Sequence, residues 1–568
     1  MAVRSIDGPR IGGRSSADRR RWVTLGIVLM STVIVVLDNT VLNVAIPTIL
    51  REFHTTVPSL EWVITGYALT FATFLIIGGR LGDLYGTRRM FIIGAAIFAT
   101  GSLLAAVSWN VASLIVGEAI IEGVGASLML PATLSLLSST FQGRERATAF
   151  AAWGAAAGSA AGLGPVVGGF LTTDVSWRWS FGINVIIAPL AIVGALLFIA
   201  KTTPTARREP LDGPGAALIA AGMFLLVFAL SEGGTYGWLR PIAAFKVAGR
   251  EVWPSSSPIS VVPVILVVAL GVLGTFYRYE RGRERRQQGP LFEFSLLGHP
   301  TFRYGLLTTV VLAMGQFGMG LALALFLQES LHLSALDNGL WMLPFGLLVL
   351  IGSPIGGRLA QHLTTVSVVR IGLVSQAIGL LTISTAISTH TTFLRLVPGL
   401  LFYGLGGGFA MSQLTNVVLS EIPHTKSGVA SGTNTTMRQV GSALGIAVLG
   451  TVVTTQTINH AASRIAGTSL TPAVKRAAIA RVHALGANFA PSPSNPPAVA
   501  KALSDAVAHA VATASRDAIL FAAAVVIIGT LLSLLIPKVA LADHPHAIDV
   551  PASDLTLPDV AVSEATIR

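Results

Sequence analysis

Hydrophobic residues in this chain run in windows of about 20, the length an α-helix needs to cross the hydrocarbon layer of a bilayer, and short polar segments separate them. About fourteen such windows are predicted, beginning near residues 23, 60, 90, 112, 147, 180, 214, 258, 304, 338, 366, 394, 427 and 517. The first follows a polar stretch, Met1 to Arg21, with six arginines. It is too long for a signal-peptide core and lacks a convincing cleavage site, so it reads as a retained span. Residues 453–516 are expected to form a long external loop broken by Pro491, Pro493, Pro496 and Pro497, with Ala498 to Arg516 a candidate amphipathic helix. The tail 538–568 reads as polar and disordered.

Arginine placement orients these spans. With the N-terminus inside, the cytoplasmic segments collect Arg80, Arg88, Arg89, Arg144, Arg146, Lys201, Arg207, Arg208 and the run Arg278, Arg281, Arg283, Arg285, Arg286. The segments assigned outside hold few: Arg51, Arg178, Arg395, Arg240, Lys246 and Arg250. This asymmetry follows the positive-inside rule and puts both termini in the cytoplasm, in a multi-pass protein of the cytoplasmic membrane.

The chain also repeats itself. Ile77-Gly78-Gly79-Arg80-Leu81 closes the second span and Ile355-Gly356-Gly357-Arg358-Leu359 the tenth, while Gly123-Val124-Gly125 returns as Gly404-Leu405-Gly406. Two matches at an offset of about 280 residues argue for a duplicated six-helix unit. The expected organisation is a basic tail (1–21), a first half (22–200), two inserted helices with linkers (201–302) and a second half (303–537).

Composition narrows the class. Of 568 residues, 52% are hydrophobic and 11% charged, against roughly 25% charged in soluble domains. The net charge of +11 is explained by basic loops at a lipid surface, and no nucleic-acid motif accompanies it. Cysteine is absent, which excludes disulfides, thiol catalysis and cysteine metal sites. The histidines show no metal-ligand spacing, and no phosphate-cradling glycine loop is followed by lysine, so neither metal nor ATP is expected.

Three segments carry candidate mechanism. Asp38 lies within the first span, where a carboxylate is costly unless paired, hydrated or protonated and is therefore a functional candidate. Asn39 and Asn43 lie within a turn or so and suggest a cavity wall. After the second span, Gly79-Arg80-Leu81-Gly82-Asp83-Leu84-Tyr85-Gly86-Thr87-Arg88-Arg89 reads as a tight reversal. Gly82 and Gly86 would permit close approach, Asp83 would cap a neighbouring helix, and Arg88 and Arg89 would face anionic lipid. In the fifth span, Pro165 removes a backbone hydrogen bond while Gly164, Gly168 and Gly169 allow close helix contact.

Together with Leu37-Asp38-Asn39-Thr40-Val41-Leu42-Asn43-Val44-Ala45-Ile46-Pro47, these segments resemble the fourteen-helix drug:proton antiporter branch of the major facilitator superfamily over nearly the whole chain. The segment Gly428 to Gly441, containing Asn434 and Arg438, is similar to that branch's thirteenth helix, and Trp62, Tyr67 and Trp177-Arg178-Trp179 also match. The resemblance implies an all-α major facilitator fold and a proton-driven exporter of amphipathic small molecules. It further implies a gating latch at Gly79, Gly82, Asp83, Gly86, Arg88 and Arg89, and exchange rather than uptake through the motif at Gly164. Tyr67 and Asn434 are candidates for the cavity wall, and Trp177 and Trp179 for interface anchors.

The fourth span departs from the family pattern, with Ala119 where relatives carry arginine and Glu122 where they carry glutamine. Glu118 and Glu122, four apart, share a helix face and could form a second protonatable site, or Glu118 could reach external headgroups. Arg438 either neutralises a cavity acid or snorkels to the inner surface. The expected partners are a small-molecule substrate, protons and lipid, with no nucleic acid and a monomer as the working unit. Export of a self-made metabolite, antibiotic or lipid would use the same motifs. A nontransporting receptor is the rival outside transport, and no enzyme-like constellation is present.

Overall fold

A computed structural model describes residues 16–55, 57–201, 211–247, 250–485, 489, 491–492 and 495–537. Fourteen of its helices are long and apolar enough to cross a membrane. They are α1 (Ser16–Glu52), α2 (Val57–Tyr85), α3 (Thr87–Ala106), α4 (Val111–Thr140), α5 (Gly143–Phe170), α6 (Trp179–Phe198) and α7 (Gly213–Ser231). The remainder are α8 (Val261–Arg285), α9 (Pro300–Leu325), α10 (Ala335–His362), α11 (Thr365–Ala386), α12 (Phe393–Val418), α13 (Ser427–Ala466) and α14 (Pro497–Ser533). Several starts are fixed by local chemistry. Asn110 caps α4 in a reciprocal pair with Ser113, Asp212 accepts from Gly215 N–H at α7, and Ser334 and Thr364 cap α10 and α11.

Helix contacts repeat at a step of eight. In the first half α1 packs on α5 and α6, α3 on α4 and α6, and α2 on α4. In the second α9 packs on α13 and α14, α11 on α12 and α14, and α10 on α12. The halves meet through the matching pairs α2–α13 and α5–α10. Of the inserted pair, α7 lies against α2 and α13, and α8 packs on α7. There Trp62 stacks on Phe228 with ring centroids 6.1 Å apart, and Trp238 Nε1 donates to Thr451 Oγ1 at 2.8 Å. A two-stranded hairpin, β1 (Phe245–Val247) and β2 (Arg250–Trp253), packs Phe245 edge-on against Phe228 and Tyr236.

The expected loop at 453–516 is largely helical. α13 continues to Ala466, a further helix spans Pro472–Leu485, and α14 already begins at Pro497. These extensions bury Ile465, Val482, Leu503, Val507 and Val511 in a small core of their own. A hydropathy window misses helix that leaves the membrane, because there the apolar stripe covers only one face. Residues 1–15 and 538–568, Arg207, Arg208 and Pro493 lie outside the described residues, as do the side chains of Asn39, Asn43 and Pro165.

Candidate functional site

The first half encloses three acids. Asp38 of α1 and Glu118 and Glu122 of α4 are buried, and each presents an oxygen such that all three oxygens lie within 4.8 Å of one another. Glu118 and Glu122 lie on a π-helical stretch, Ile115–Glu122, whose wider turn re-aims side chains within a spanning helix. α3 approaches so closely that a Cβ on Gly101 would lie 2.5 Å from the backbone nitrogen of Glu122. That contact places Ser102 Oγ 2.6 Å from Glu122 Oε1, to which it donates. From α6, Asn184 Nδ2 donates to Asp38 Oδ1 at 2.8 Å and to Glu122 Oε1 at 3.1 Å. Oδ2 of Asp38 and Oε2 of Glu118 and of Glu122 receive no N–H or hydroxyl donor. Glu118 therefore does not reach toward headgroups; it is 1% exposed.

No cation balances this cluster among the described residues. At 4.8 Å each ionised pair would repel by about 3 kcal/mol at an effective dielectric of about 20, so three simultaneous charges here would be costly. The three oxygens are close enough to hold a divalent cation. Hard cations take six or more oxygens, however, and the groups packed here are an amide N–H and a hydroxyl donor, which serve carboxylates.

Arg438 does not neutralise these acids. It sits on α13 with its guanidinium 5.5 Å over the ring of Trp153 on α5, a cation–π contact across the two halves. Asn434, one turn earlier, accepts from Thr309 of α9 at 3.2 Å. Tyr67 of α2 is buried and stacks on Phe71 with centroids 5.8 Å apart.

The latch joins the halves. Asp83 at the end of α2 accepts from the N–H groups of Gly428 and Val429, at 2.8 and 2.9 Å, and so caps the start of α13. Gly79 makes the approach possible, since a Cβ there would lie 2.2 Å from the carbonyl oxygen of Gly428. Gly86 has φ 96°, the left-handed region that a tight reversal into α3 demands. Gly82 needs no such freedom, because a Cβ would meet nothing within 4 Å. Arg88 turns back to cap α6, donating to Leu196 O at 2.7 Å, whereas Arg89 is exposed. In the second half Gln361 replaces Asp83, and its amide donates to Thr148 Oγ1 of α5 at 3.2 Å. Ser135 and Ser427 (2.6 Å) and Arg146 to Leu419 O (2.7 Å) complete this closed end.

The α5 motif touches both the acid site and the opposite half. A Cβ on Gly164 would overlap Thr40 and one on Gly168 would lie 3.0 Å from Val41, two and three residues past Asp38. Gly169 faces Leu336 of α10 at 3.5 Å, and further along Gly158 and Gly162 receive Val349 and Gly346. At the other end of α1, Glu52 accepts from Trp177 Nε1 and Arg178 Nη1, each at 2.6 Å. The indole hydrogen bond and the guanidinium hold the Glu52 carboxyl below its usual range. Trp177 is thus a buried anchor for α1, not an interface residue, while Trp179 is exposed.

Sequence reading missed Ser102 and Asn184. The available signal was an asparagine in an otherwise apolar sixth span, and that signal names no partner.

Similarity to known proteins accords with this architecture. A protein named "Probable actinorhodin transporter" from Streptomyces coelicolor is 35% identical over 456 residues, 78% of this chain and 75% of that protein. A puromycin resistance protein of Streptomyces alboniger is 32% identical over 80% of this chain and 85% of its own length. In fold, the human organic anion transporter MFSD10 superposes with a TM-score of 0.56 at 15% identity, covering 90% of this chain and 99% of that one. The Major Facilitator Superfamily profile matches residues 28–446, and with two six-helix halves meeting symmetrically around it, the chain belongs to that superfamily.

Proposed function

We propose that the chain exports antibiotic-like, amphipathic small molecules in exchange for protons, with Asp38, Glu118 and Glu122 as the proton-binding group. The observation that carries the reading is the buried acid cluster, which has donors but, among the described residues, no cation, and whose Asp38 lies two and three residues before the α1 positions that the α5 motif contacts. Protonation changes the charge that the first half must bury. It therefore changes the balance between states in which the halves close at one end or the other. Relatives named for resistance to puromycin and lincomycin, and for resistance to and export of tetracenomycin C, support natural-product antibiotics as the substrate class. The arginine-rich end, with both termini, faces the cytoplasm in this reading.

The test is substrate-driven proton flux in proteoliposomes, with puromycin and lincomycin as first substrates and wild type beside Asp38→Asn and Glu122→Gln. Flux in wild type and its loss in both variants is expected. Absence of flux across a panel of cationic and neutral antibiotics would remove the antiport reading. Facilitated substrate movement that ignores Asp38→Asn would leave transport but discard this proton site.

A further inference from the structure

The arginine-rich end of α8 carries groups that neither the latch nor the acid cluster employs. A cavity of about 520 Å³ opens there between α8 and the chain entering α9, lined by Tyr277, Arg281, Arg285, Phe294 and Arg303 among others. A second, of about 370 Å³, adjoins it beside Arg278 and Arg281. Arg283, on the same helix but turned inward, is paired with Asp212 at 3.2 Å. Arg278, Arg281, Arg285 and Arg303 form no ion pair among the described residues. The single acid on the cavity wall, Glu284, accepts from Ser295 N–H at 3.0 Å. Arg281 and Arg303 donate to the hydroxyls of Tyr277 and Tyr304, at 3.0 and 3.1 Å, which orients their guanidinium groups and leaves their charge unneutralised.

Helical spacing extends this site along the membrane. Tyr277, Arg281 and Arg285 are four residues apart and share one face of α8. The same face continues through Gly274, Leu270 and Val267, of which Leu270 is 61% and Val267 70% exposed, and a Cβ on Gly274 would meet nothing within 4 Å. An exposed apolar stripe thus leads to a basic pocket walled by the rings of Tyr277 and Phe294.

We propose that this is a binding site for an anionic phospholipid, its phosphate held by Arg281, Arg285 and Arg303 and an acyl chain laid along α8. A free phosphate compound would use the arginines but not the apolar stripe. The apolar stripe favours lipid, and the bias of arginine toward this end places the site in the cytoplasmic leaflet.

The full chain in detergent, incubated with equal phosphatidylglycerol and phosphatidylcholine and examined by native mass spectrometry, tests the proposal. Wild type is expected to retain phosphatidylglycerol selectively. Each arginine near an anionic headgroup contributes roughly fivefold in affinity, so Arg281→Ala, Arg285→Ala and Arg303→Ala together should weaken retention on the order of a hundredfold. Gly298→Leu, which fills the cavity wall where a Cβ would meet nothing within 4 Å, should reduce retention without altering charge. Removing Arg240 and Arg250 at the opposite end should change nothing. The proposal is overturned if wild type retains both lipids equally, if the triple variant or Gly298→Leu retains phosphatidylglycerol like wild type, or if the opposite-end variant loses it equally. Displacement of the lipid by millimolar inorganic phosphate or glycerophosphoglycerol would also overturn it, by showing a soluble-phosphate site.

Discussion

Replacing Asp83 by asparagine tests whether the capped start of α13 sets the balance between the two states. The carboxylate receives two backbone N–H groups at 2.8 and 2.9 Å, and both belong to the first residues of the opposing helix. A hydrogen bond to a charged group contributes about 1.5–3 kcal/mol, and an anion at a helix N-terminus about 0.3–1 kcal/mol more. Asparagine keeps one acceptor oxygen and loses the charge, so the expected loss is about 2–3 kcal/mol, a factor of roughly 30 to 150 in the ratio of closed to open at this end. A population about 99% closed would fall to something near even occupancy. The chain contains no cysteine, so spin labels can be placed without prior engineering, at Cys substituted for the exposed Arg89 of the first half and His362 of the second. Double electron–electron resonance should show a longer distance growing in Asp83→Asn. Superimposable distributions for wild type and variant would refute the latch as the determinant of this state.

Three further outcomes are expected. Asn184→Leu removes the N–H donors to Asp38 and Glu122 and should lower proton-coupled transport by at least about tenfold, with folded yield kept; wild-type flux would show that the amide is incidental. Gly158→Leu places its Cβ 1.9 Å from Cγ1 of Val349, a stiff β-branched side chain, and should cost about 1–3 kcal/mol by thermal melting; Val349→Ala should restore much of the loss if the clash is the cause. Glu52, whose folded-state carboxyl is held low by Trp177 and Arg178, contributes stability above the unfolded value near about 4.3, and loses it as the pH falls through the lower folded value. The pair is partly exposed, so Glu52→Gln should cost less than about 1 kcal/mol at pH 7, and the difference should vanish once the pH has fallen through the lowered folded value; an undiminished difference in acid would exclude the charge as the source.

How much of this was legible depends on the range of the interaction. Spans are local, since each needs only enough apolar residues in succession, and all fourteen could be located from sequence. Asp83 and Gly86 were legible for a similar reason: a reversal between helices leaves a glycine at positive φ and a capping carboxylate a few residues apart. Glu118 and Glu122 could be placed on one face by spacing alone. That Asp38 joins them, with Ser102 and Asn184 arriving from two other helices, depends on the order in which α1, α3, α4 and α6 pack, and no local signal encodes that order. Arg438 shows the same limit. Sequence offered it an acid or the membrane surface, and tertiary packing gave it the indole of Trp153.

α13 is a single helix of 40 residues, roughly 60 Å at 1.5 Å per residue and about twice the thickness of the hydrocarbon layer. Its first residues are gripped by Asp83 and its last belong to the small core beyond the bundle, with Asn434 and Arg438 between. Such a rod acts as a lever. A tilt of about 10° pivoting at the latch would carry its far end roughly 10 Å, so events at one membrane face are mechanically readable at the other. An antibody fragment that clamps the Pro472–Leu485 helix to α14 would therefore act as a remote brake on the transport cycle, without entering the substrate path.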